Sequence, residues 1–355
     1  MKRFFFLAVA ATAMLAACNK TEIVPTGDLQ EISFTAVNKV ATKVPVDGAT
    51  FLTDDDMHVA AYIVAGSETD GNFFGPTHLK KNGNFWTGTP ARYWPLTTST
   101  INFLAVTGKG GGASNSTTTF TGSYASGATV TLNDNSAFNQ NDLMFAAGQG
   151  THTQGNAYTA VPMVFKHALS WIKFFVCKKD ESGYDITVNS IKLNGASYQG
   201  TLTLSNGQFN EETAQETGRV DATWSNTTPK DGVLVPNKEG KAAAEKVTLS
   251  YPKNGFTGTE FGNGLLVVPG YATSFTINYT LTQAGGVANT FDYTYTLPAG
   301  GSWKMAMKYL YYISFDLSEI EVNPSVTKWD EKSTSTDVEL NGSNDKSAST
   351  PEENN

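Results

Sequence analysis

The chain has 355 residues, of which 16% are charged and 12% aromatic, and its formal net charge is −8. This length allows two domains of ordinary size, and the low charge with many glycines favours an exported all-β protein over a cytosolic helical enzyme. Because the chain is acidic and has no basic stripe, it is not expected to bind nucleic acid.

The N-terminal segment has the pattern of a bacterial lipoprotein signal. Lys2 and Arg3 precede an apolar run, and the segment ends at Cys18 after a Leu-Ala-Ala triplet. We predict a signal peptide over residues 1–17 and lipidation of Cys18, followed by a polar tether over residues 18–30. The alternative is an ordinary secretory signal with a chance cysteine. Lipidation would leave Cys177 without a disulfide partner, and its apolar neighbours in sequence indicate a buried, inert thiol.

A first strand is predicted directly after the tether. Ile32, Phe34 and Ala36 alternate with Ser33 and Thr35, so the apolar side chains share one face. The polar segment that follows contains Lys39 and Lys43 and a turn, which makes it a natural place for proteolysis.

The rest of the first half contains further strand and turn patterns. Apolar runs predict strands over residues 57–64 and 101–106, and the residues around Trp86 and Trp94 flank a Gly-Thr-Pro turn in the manner of a hairpin. Three consecutive aspartates from Asp54 fit a solvated turn better than a calcium loop. The glycine-rich stretch 108–112 lacks the spacing of a phosphate-binding loop.

The second half shows the same plan, with apolar runs at residues 171–177, 265–268, 275–281 and 309–317. The run at 275–281 alternates, with Phe275 and Ile277 on one face and Thr276 and Asn278 on the other. Many short strands with turns between them predict β-sandwiches. We place the domain junction in the polar loop at residues 148–159, which gives domains over 31–158 and 159–340. The polar segment 341–355 is predicted to be disordered.

No catalytic or metal-binding pattern is recognisable in the sequence. The four histidines, His58, His78, His152 and His167, stand in no metal-ligand spacing with one another or with a cysteine. There is no nucleophile elbow and no catalytic cysteine dyad. We therefore predict no enzymatic activity, no metal and no cofactor. A glycosidase whose two acids come from distant strands is the enzymatic alternative that the spacing leaves open.

Several stretches taken together resemble one family, the fimbrillin or type V pilin lipoproteins of gut and oral Gram-negative anaerobes. The stretches occur in the order of the family along some three hundred residues: the cysteine motif at Cys18, the strand 32–37, Trp86 with residues 93–95 and 102–103, residues 142–146, residues 165–169, residues 265–269, Trp303, and residues 309–317 with 326–329.

This resemblance implies two tandem transthyretin-like β-sandwich domains and an assembly mechanism. A lipidated precursor would reach the outer membrane surface, where a trypsin-like protease would cut after the first strand. A strand from another pilin subunit would then fill the vacated groove and form a fimbrium. On this chain the displaced strand carries Ile32, Phe34 and Ala36, and our hypothesis is that cleavage follows Lys39 or Lys43.

The partner strand is predicted in the C-terminal tail, where Thr334, Thr336, Val338 and Leu340 alternate with polar residues. A frayed polar tail is the alternative for this segment. For the whole chain, the alternative to a structural pilin is a monomeric surface lipoprotein that binds a glycan or host ligand, in an anchor or tip role.

Overall fold

The computed structural model describes residues 29–37, 56–66, 71–83, 85–97, 99–109, 116–120, 127–138, 140–153, 159–181, 183–206, 220–252, 258–270, 272–283, 285–299, 303–317, 319–328 and 338–339. In this part of the chain every regular element is a β-strand, so the predicted all-β class is confirmed. The strands of the first half are β1 (Ser33–Val37), β2 (Asp56–Gly66), β3 (Gly71–Asn82), β4 (Phe85–Thr89), β5 (Ser99–Lys109), β6 (Ser116–Phe120), β7 (Ala128–Leu132), β8 (Asp142–His152), β9 (Val161–Val164) and β10 (Lys166–His167). The later strands are β11 (Ser170–Lys178), β12 (Tyr184–Asn194), β13 (Ala196–Ser197), β14 (Gly200–Asn206), β15 (Val220–Ser225), β16 (Pro229–Lys230), β17 (Val233–Leu234), β18 (Val247–Thr248), β19 (Thr259–Glu260), β20 (Leu265–Val267), β21 (Ser274–Gln283), β22 (Ala288–Thr296), β23 (Met307–Phe315), β24 (Ile320–Lys328) and β25 (Val338–Glu339).

The first sheet contains eight strands in the order β10-β8-β5-β2-β3-β4-β1-β9. Neighbouring strands are antiparallel except β1 and β9, which run parallel. The strands at the two ends of this order, β9 and β10, are separated along the chain only by Phe165. The segment 161–167 therefore joins both ends of the sheet, and the sheet closes around an apolar interior.

Large side chains from nearly every strand of this sheet fill that interior. The buried cluster comprises Ile32, Phe34, Met57, Val59, Ala61, Ile63, Phe74, Leu79, Trp86, Trp94, Ile101, Phe103, Ala105, Met144, Ala146, Val161, Met163 and Phe165. On β2 and β5 these residues alternate with side chains that point to the opposite face, as the two-residue repeat of a strand requires.

That opposite face packs on a four-stranded sheet to which both halves of the chain contribute. Its order is β15-β14-β7-β6, and Leu202 on β14 pairs with Val130 on β7. Both residues are buried against side chains of the first sheet, among them Tyr62 and Leu104. A single apolar core therefore contains side chains from both halves of the chain.

Strands from both sides of the predicted junction at residues 148–159 belong to the same sheets. Strands β9 and β10, which follow residue 159, belong to the first sheet, and β14 and β15 complete a sheet with β6 and β7. The first sheet thus extends to His167, and the next strand, which begins at Ser170, belongs to a different sheet. The division of the chain into two domains stays a prediction.

Of the remaining strands, β13 and β16 form a two-stranded sheet, and the others form two sheets that face each other. One contains β11, β23 and β24 in its middle, and the other has the order β17-β12-β21-β22. Strand β21 shows the predicted alternation, because Phe275 and Ile277 are fully buried between the sheets while Thr276 and Thr280 form hydrogen-bonded pairs with threonines of β22 at 3.1 and 3.0 Å.

The predicted hairpin around Trp86 and Trp94 is not formed. Strand β4 pairs with β3 on one side and with β1 on the other, while Tyr93 forms an isolated bridge to Glu31. The two segments lie end to end along the N-terminal strand instead of side by side, because each uses its backbone groups to pair with that strand.

Candidate functional site

The first strand lies between two strands that are distant from it in sequence. Strand β1 pairs antiparallel with β4 through Ser33–Thr87 and Phe34–Trp86, and parallel with β9 from Phe34–Val161 onwards. It does not pair with β2, the next strand along the chain. We call the space that β1 occupies between β4 and β9 the β1 slot.

Backbone hydrogen bonds extend the slot beyond the N-terminal end of β1. The amide of Ile32 donates to the Arg92 carbonyl at 2.7 Å, and the amide of Trp94 donates to the Gln30 carbonyl at 3.0 Å. The guanidinium of Arg92 donates to the Thr77 hydroxyl at 3.0 Å and lies over the ring of Phe74. These contacts connect the 92–94 segment to β3 independently of β1.

Two side chains of the N-terminal strand enter the interior of the sheet. Ile32 is 0% and Phe34 is 1% exposed. The ring of Phe34 lies edge-on to Phe103 with 5.1 Å between ring centroids, and Trp94 makes a similar edge contact with Phe103 at 5.9 Å. Edge-to-face pairs at these distances are favourable beyond the area they bury, so the Phe34 site is shaped for an aromatic ring.

The wall formed by β9 packs closely on β8 because two glycines of β8 leave room for it. A Cβ atom at Gly148 would lie 2.5 Å from the Met163 sulfur, and one at Gly150 would lie 2.5 Å from the Trp94 ring. Neither approach is possible with a larger residue unless a neighbour moves. The glycines therefore allow β9 and Trp94 to close over the end of β8.

A buried polar pair fixes the other end of this wall. His167 Nδ1 lies 3.0 Å from Asp142 Oδ1, and both side chains are 1% exposed. The amide of Ala168 also donates to the Leu143 carbonyl at 2.8 Å. Since β10 directly follows β9, these contacts hold the wall of the β1 slot to β8 by groups that are not part of β1.

The structure places only some of the predicted site residues. Ile32 and Phe34 lie in the slot as described, and Ala36 lies within β1, where its backbone pairs with Met163. Cys18, Lys39, Lys43, Thr334, Thr336 and Leu340 lie outside the described residues. Val338 lies in β25, which pairs antiparallel with β24 through Val326–Val338 and Ser325–Glu339.

The other reactive groups that the structure describes lie apart from the β1 slot or are inert by burial. Burial raises the pKa of the Cys177 thiol to about 11, so at neutral pH it is protonated and unreactive. His58 and His78 are opposite each other on β2 and β3, with 5.5 Å between ring centroids, a proximity that their distance in sequence did not indicate. Within the described ranges, no three metal-ligating side chains come together.

The pKa of His152 is lowered, because its ring lies in an apolar setting beside Trp94. No described segment forms a helix long and apolar enough to cross a membrane. The β1 slot is the candidate functional site of the described fold.

Comparison with known proteins identifies the family to which the chain belongs. The profile of the fimbrillin-like family matches residues 42–329, and the chain belongs to this family. The prediction from sequence is thereby confirmed, and membership in the fimbrillin-like family also agrees with the expectation that the chain is not an enzyme.

One solved structure supports the fold assignment. A fimbrial protein from Bacteroides vulgatus superposes with a TM-score of 0.58 at 16% identity, covering 84% of this chain and 99% of that chain. A fimbrial assembly protein from Parabacteroides distasonis has a TM-score of 0.41 at 12% identity, covering 85% of this chain and all of that chain. At 16% identity, the similarity to the Bacteroides vulgatus protein shows the fold alone. No curated protein matches the chain.

Proposed function

We propose that this chain is a cell-surface fimbrial subunit that assembles with other pilin subunits by exchange of its first strand. The observation that carries the proposal is the position of β1, which pairs on both edges with strands remote in sequence and not with β2. A strand in this position can leave without unravelling a hairpin, and what it leaves behind is a slot with two walls.

The physical consequences of removing β1 favour its replacement by another strand. The facing edges of β4 and β9 would lose their backbone partners, and unpaired edges attract any available strand. The sites of Ile32 and Phe34 would be empty, and each such side chain contributes roughly 1.5–3 kcal/mol when buried. An incoming strand recovers both contributions, which is β-augmentation used for polymerisation.

Export and processing complete the proposal. The signal peptide and lipidated Cys18 would deliver the precursor to the outer membrane, and a trypsin-like protease would cut after Lys39 or Lys43 to release the segment that carries β1. The described strands β1 and β2 end and begin at Val37 and Asp56, so both lysines fall in the connection between them. The C-terminal tail from residue 333 would supply the strand for a neighbour.

The test is limited digestion of the purified full chain with a trypsin-like protease. We expect a new N-terminus at residue 40 or 44, followed by a ladder of SDS-resistant multimers, because a strand that is paired on both edges and has buried side chains dissociates slowly. Replacement of both lysines, Lys39→Gln and Lys43→Gln, should prevent both events, and Lys81→Gln on the exposed surface of β3 serves as the matched control.

Two results would contradict the proposal. Filaments whose subunits still begin at Cys18 would show that cleavage is not required. A cut chain that neither forms multimers nor binds an added strand peptide would show that the slot accepts no strand. If that monomer also bound a glycan, the surface binding protein considered above would be the better description of the chain.

A further inference from the structure

The β1 slot contains two fully enclosed side-chain sites that are two residues apart. Ile32 and Phe34 are 0% and 1% exposed, while Ser33 between them is only partly buried. The Phe34 site is lined by an aromatic group, since Phe103 contacts Phe34, Phe74 and Trp94 at centroid distances of 5.1, 6.4 and 5.9 Å. An occupant that matches this slot carries a β-branched aliphatic residue and, two positions later, an aromatic residue.

The tail of the same chain offers a smaller version of this pattern. After Trp329 the sequence contains two large apolar residues, Val338 and Leu340, which are also two positions apart. If the tail enters in the direction of β1, Val338 takes the site of Ile32, Leu340 takes that of Phe34, and Glu339 falls at the partly exposed position of Ser33. A shift by two residues would bury Thr336 in place of Ile32, and a reversed strand would put valine in the aromatic site.

We propose that the slot is matched to the strand of a different subunit, one with an aromatic residue two positions after a β-branched aliphatic residue, and that the tail of a second copy is an undersized occupant. The inference rests on the strand exchange proposed above. Its physical basis is that valine and leucine leave unfilled volume in a rigid, closely packed interior, which weakens binding in proportion to the cavity. Leucine also loses the edge contact with Phe103.

The pairing of the tail within its own subunit also weakens its binding to the slot of a second copy. Val338 and Glu339 already pair with Val326 and Ser325 on β24. To enter the slot of a second copy, the tail must first give up this pairing. A strand from a different subunit has no such competing site on this chain.

The experiment measures peptide exchange into the full chain. A specific protease site is introduced within residues 40–47, and cleavage leaves the labelled β1 segment bound without a covalent link to the remainder. Four peptides then compete for the slot: residues 29–38, the same peptide with Ile32→Val and Phe34→Leu, residues 334–343, and that peptide with Val338→Ile and Leu340→Phe. Release of the label gives the relative affinities.

We expect the 29–38 peptide to displace the label and the 334–343 peptide to bind at least about tenfold more weakly, as the loss of several buried carbon atoms implies. Between the two substituted peptides the order of affinity should be reversed, so that the substituted 334–343 peptide binds more tightly than the substituted 29–38 peptide. Equal binding of the 29–38 and 334–343 peptides, or tighter binding of the latter, would overturn the size matching while strand exchange stands. Failure of all four peptides to release the label would overturn both, because the slot would then exchange no strand.

Discussion

Ile32 and Phe34 connect the first strand to the interior of the sheet, and their burial makes the strand both stable and replaceable. Both side chains belong to one buried cluster, to which β4, β5 and β9 also contribute. When the first strand leaves, those three strands remain part of a sheet that other contacts hold together. Of these two residues we expect Phe34 to contribute more to the free energy of unfolding, because its ring contacts the aromatic group centred on Phe103.

The substitution Phe34→Ala should therefore lower the free energy of unfolding by about 3–5 kcal/mol, the usual effect of emptying a buried aromatic site. Urea denaturation of the uncut chain measures this loss. The matched control is Ser33→Ala in the same strand, which should stay within about 0.5 kcal/mol of the parent chain. A small effect of Phe34→Ala would mean that the interior closes around the missing ring, and the slot would then not persist after the strand leaves.

The elements of the first sheet explain why the slot can stay open. Strand β9 loses its partner on one side when β1 leaves, yet it continues into β10, which pairs with β8. The buried contact between His167 and Asp142 lies at this end. Removal of one partner from a buried polar pair leaves the other without compensation for its lost hydration, whereas removal of both does not.

We predict that His167→Ala destabilises the chain by about 3–5 kcal/mol and that Asp142→Ala has a comparable effect. The double variant should be clearly more stable than the sum of the two single effects predicts, because no buried group is left unpaired. A double-mutant cycle by urea denaturation measures this coupling. Additive effects would show that the pair does not hold β10 to β8, and that the backbone pairing alone fixes the wall.

The sequence predicts single strands well and their partners poorly. Alternation of apolar and polar residues locates β21 and β1, because each strand buries one face. Strand β3 carries no such pattern, since it contains Gly75, Pro76 and two adjacent lysines, and it was not predicted. The hairpin predicted for the segment of β4 was also wrong. No local pattern shows that the segment 161–167 pairs with both ends of one sheet. The slot depends on these nonlocal pairings, and the family resemblance, not periodicity, pointed to it.

At the scale of the whole molecule, the shared four-stranded sheet links the two halves of the chain. Leu202 and Leu204 on β14 are fully buried against residues of the first half. The first sheet also needs residues 161–167 to close. A cut at the predicted junction would expose both surfaces.

We therefore expect the fragment 29–158 to lack a cooperative thermal transition, whereas the chain from 29 to 340, which contains every described strand, should unfold cooperatively. Circular dichroism and the dispersion of amide resonances distinguish these cases. A well-dispersed spectrum from 29–158 would show that the first half is an independent domain and that the shared sheet contributes little to its stability.

Deletion of residues 333–355 tests the assembly of whole subunits. The deletion removes β25 and its two residue pairs with the edge of β24, so the monomer should remain folded. Multimers that depend on the tail of a second copy should disappear, while the deleted chain should still accept a strand peptide in its slot. Normal ladders from the truncated chain would show that the tail is not the donor.

The pairing of β1 on both of its edges also has a mechanical consequence. A strand held between two neighbours and pulled along its own axis is loaded in shear, so its hydrogen bonds to β4 and β9 resist together and do not break one after another as in an opening hairpin. The rupture rate of such a joint is governed by the barrier to this concerted step. A filament built from joints of this geometry would bear tension from flowing liquid on noncovalent bonds alone.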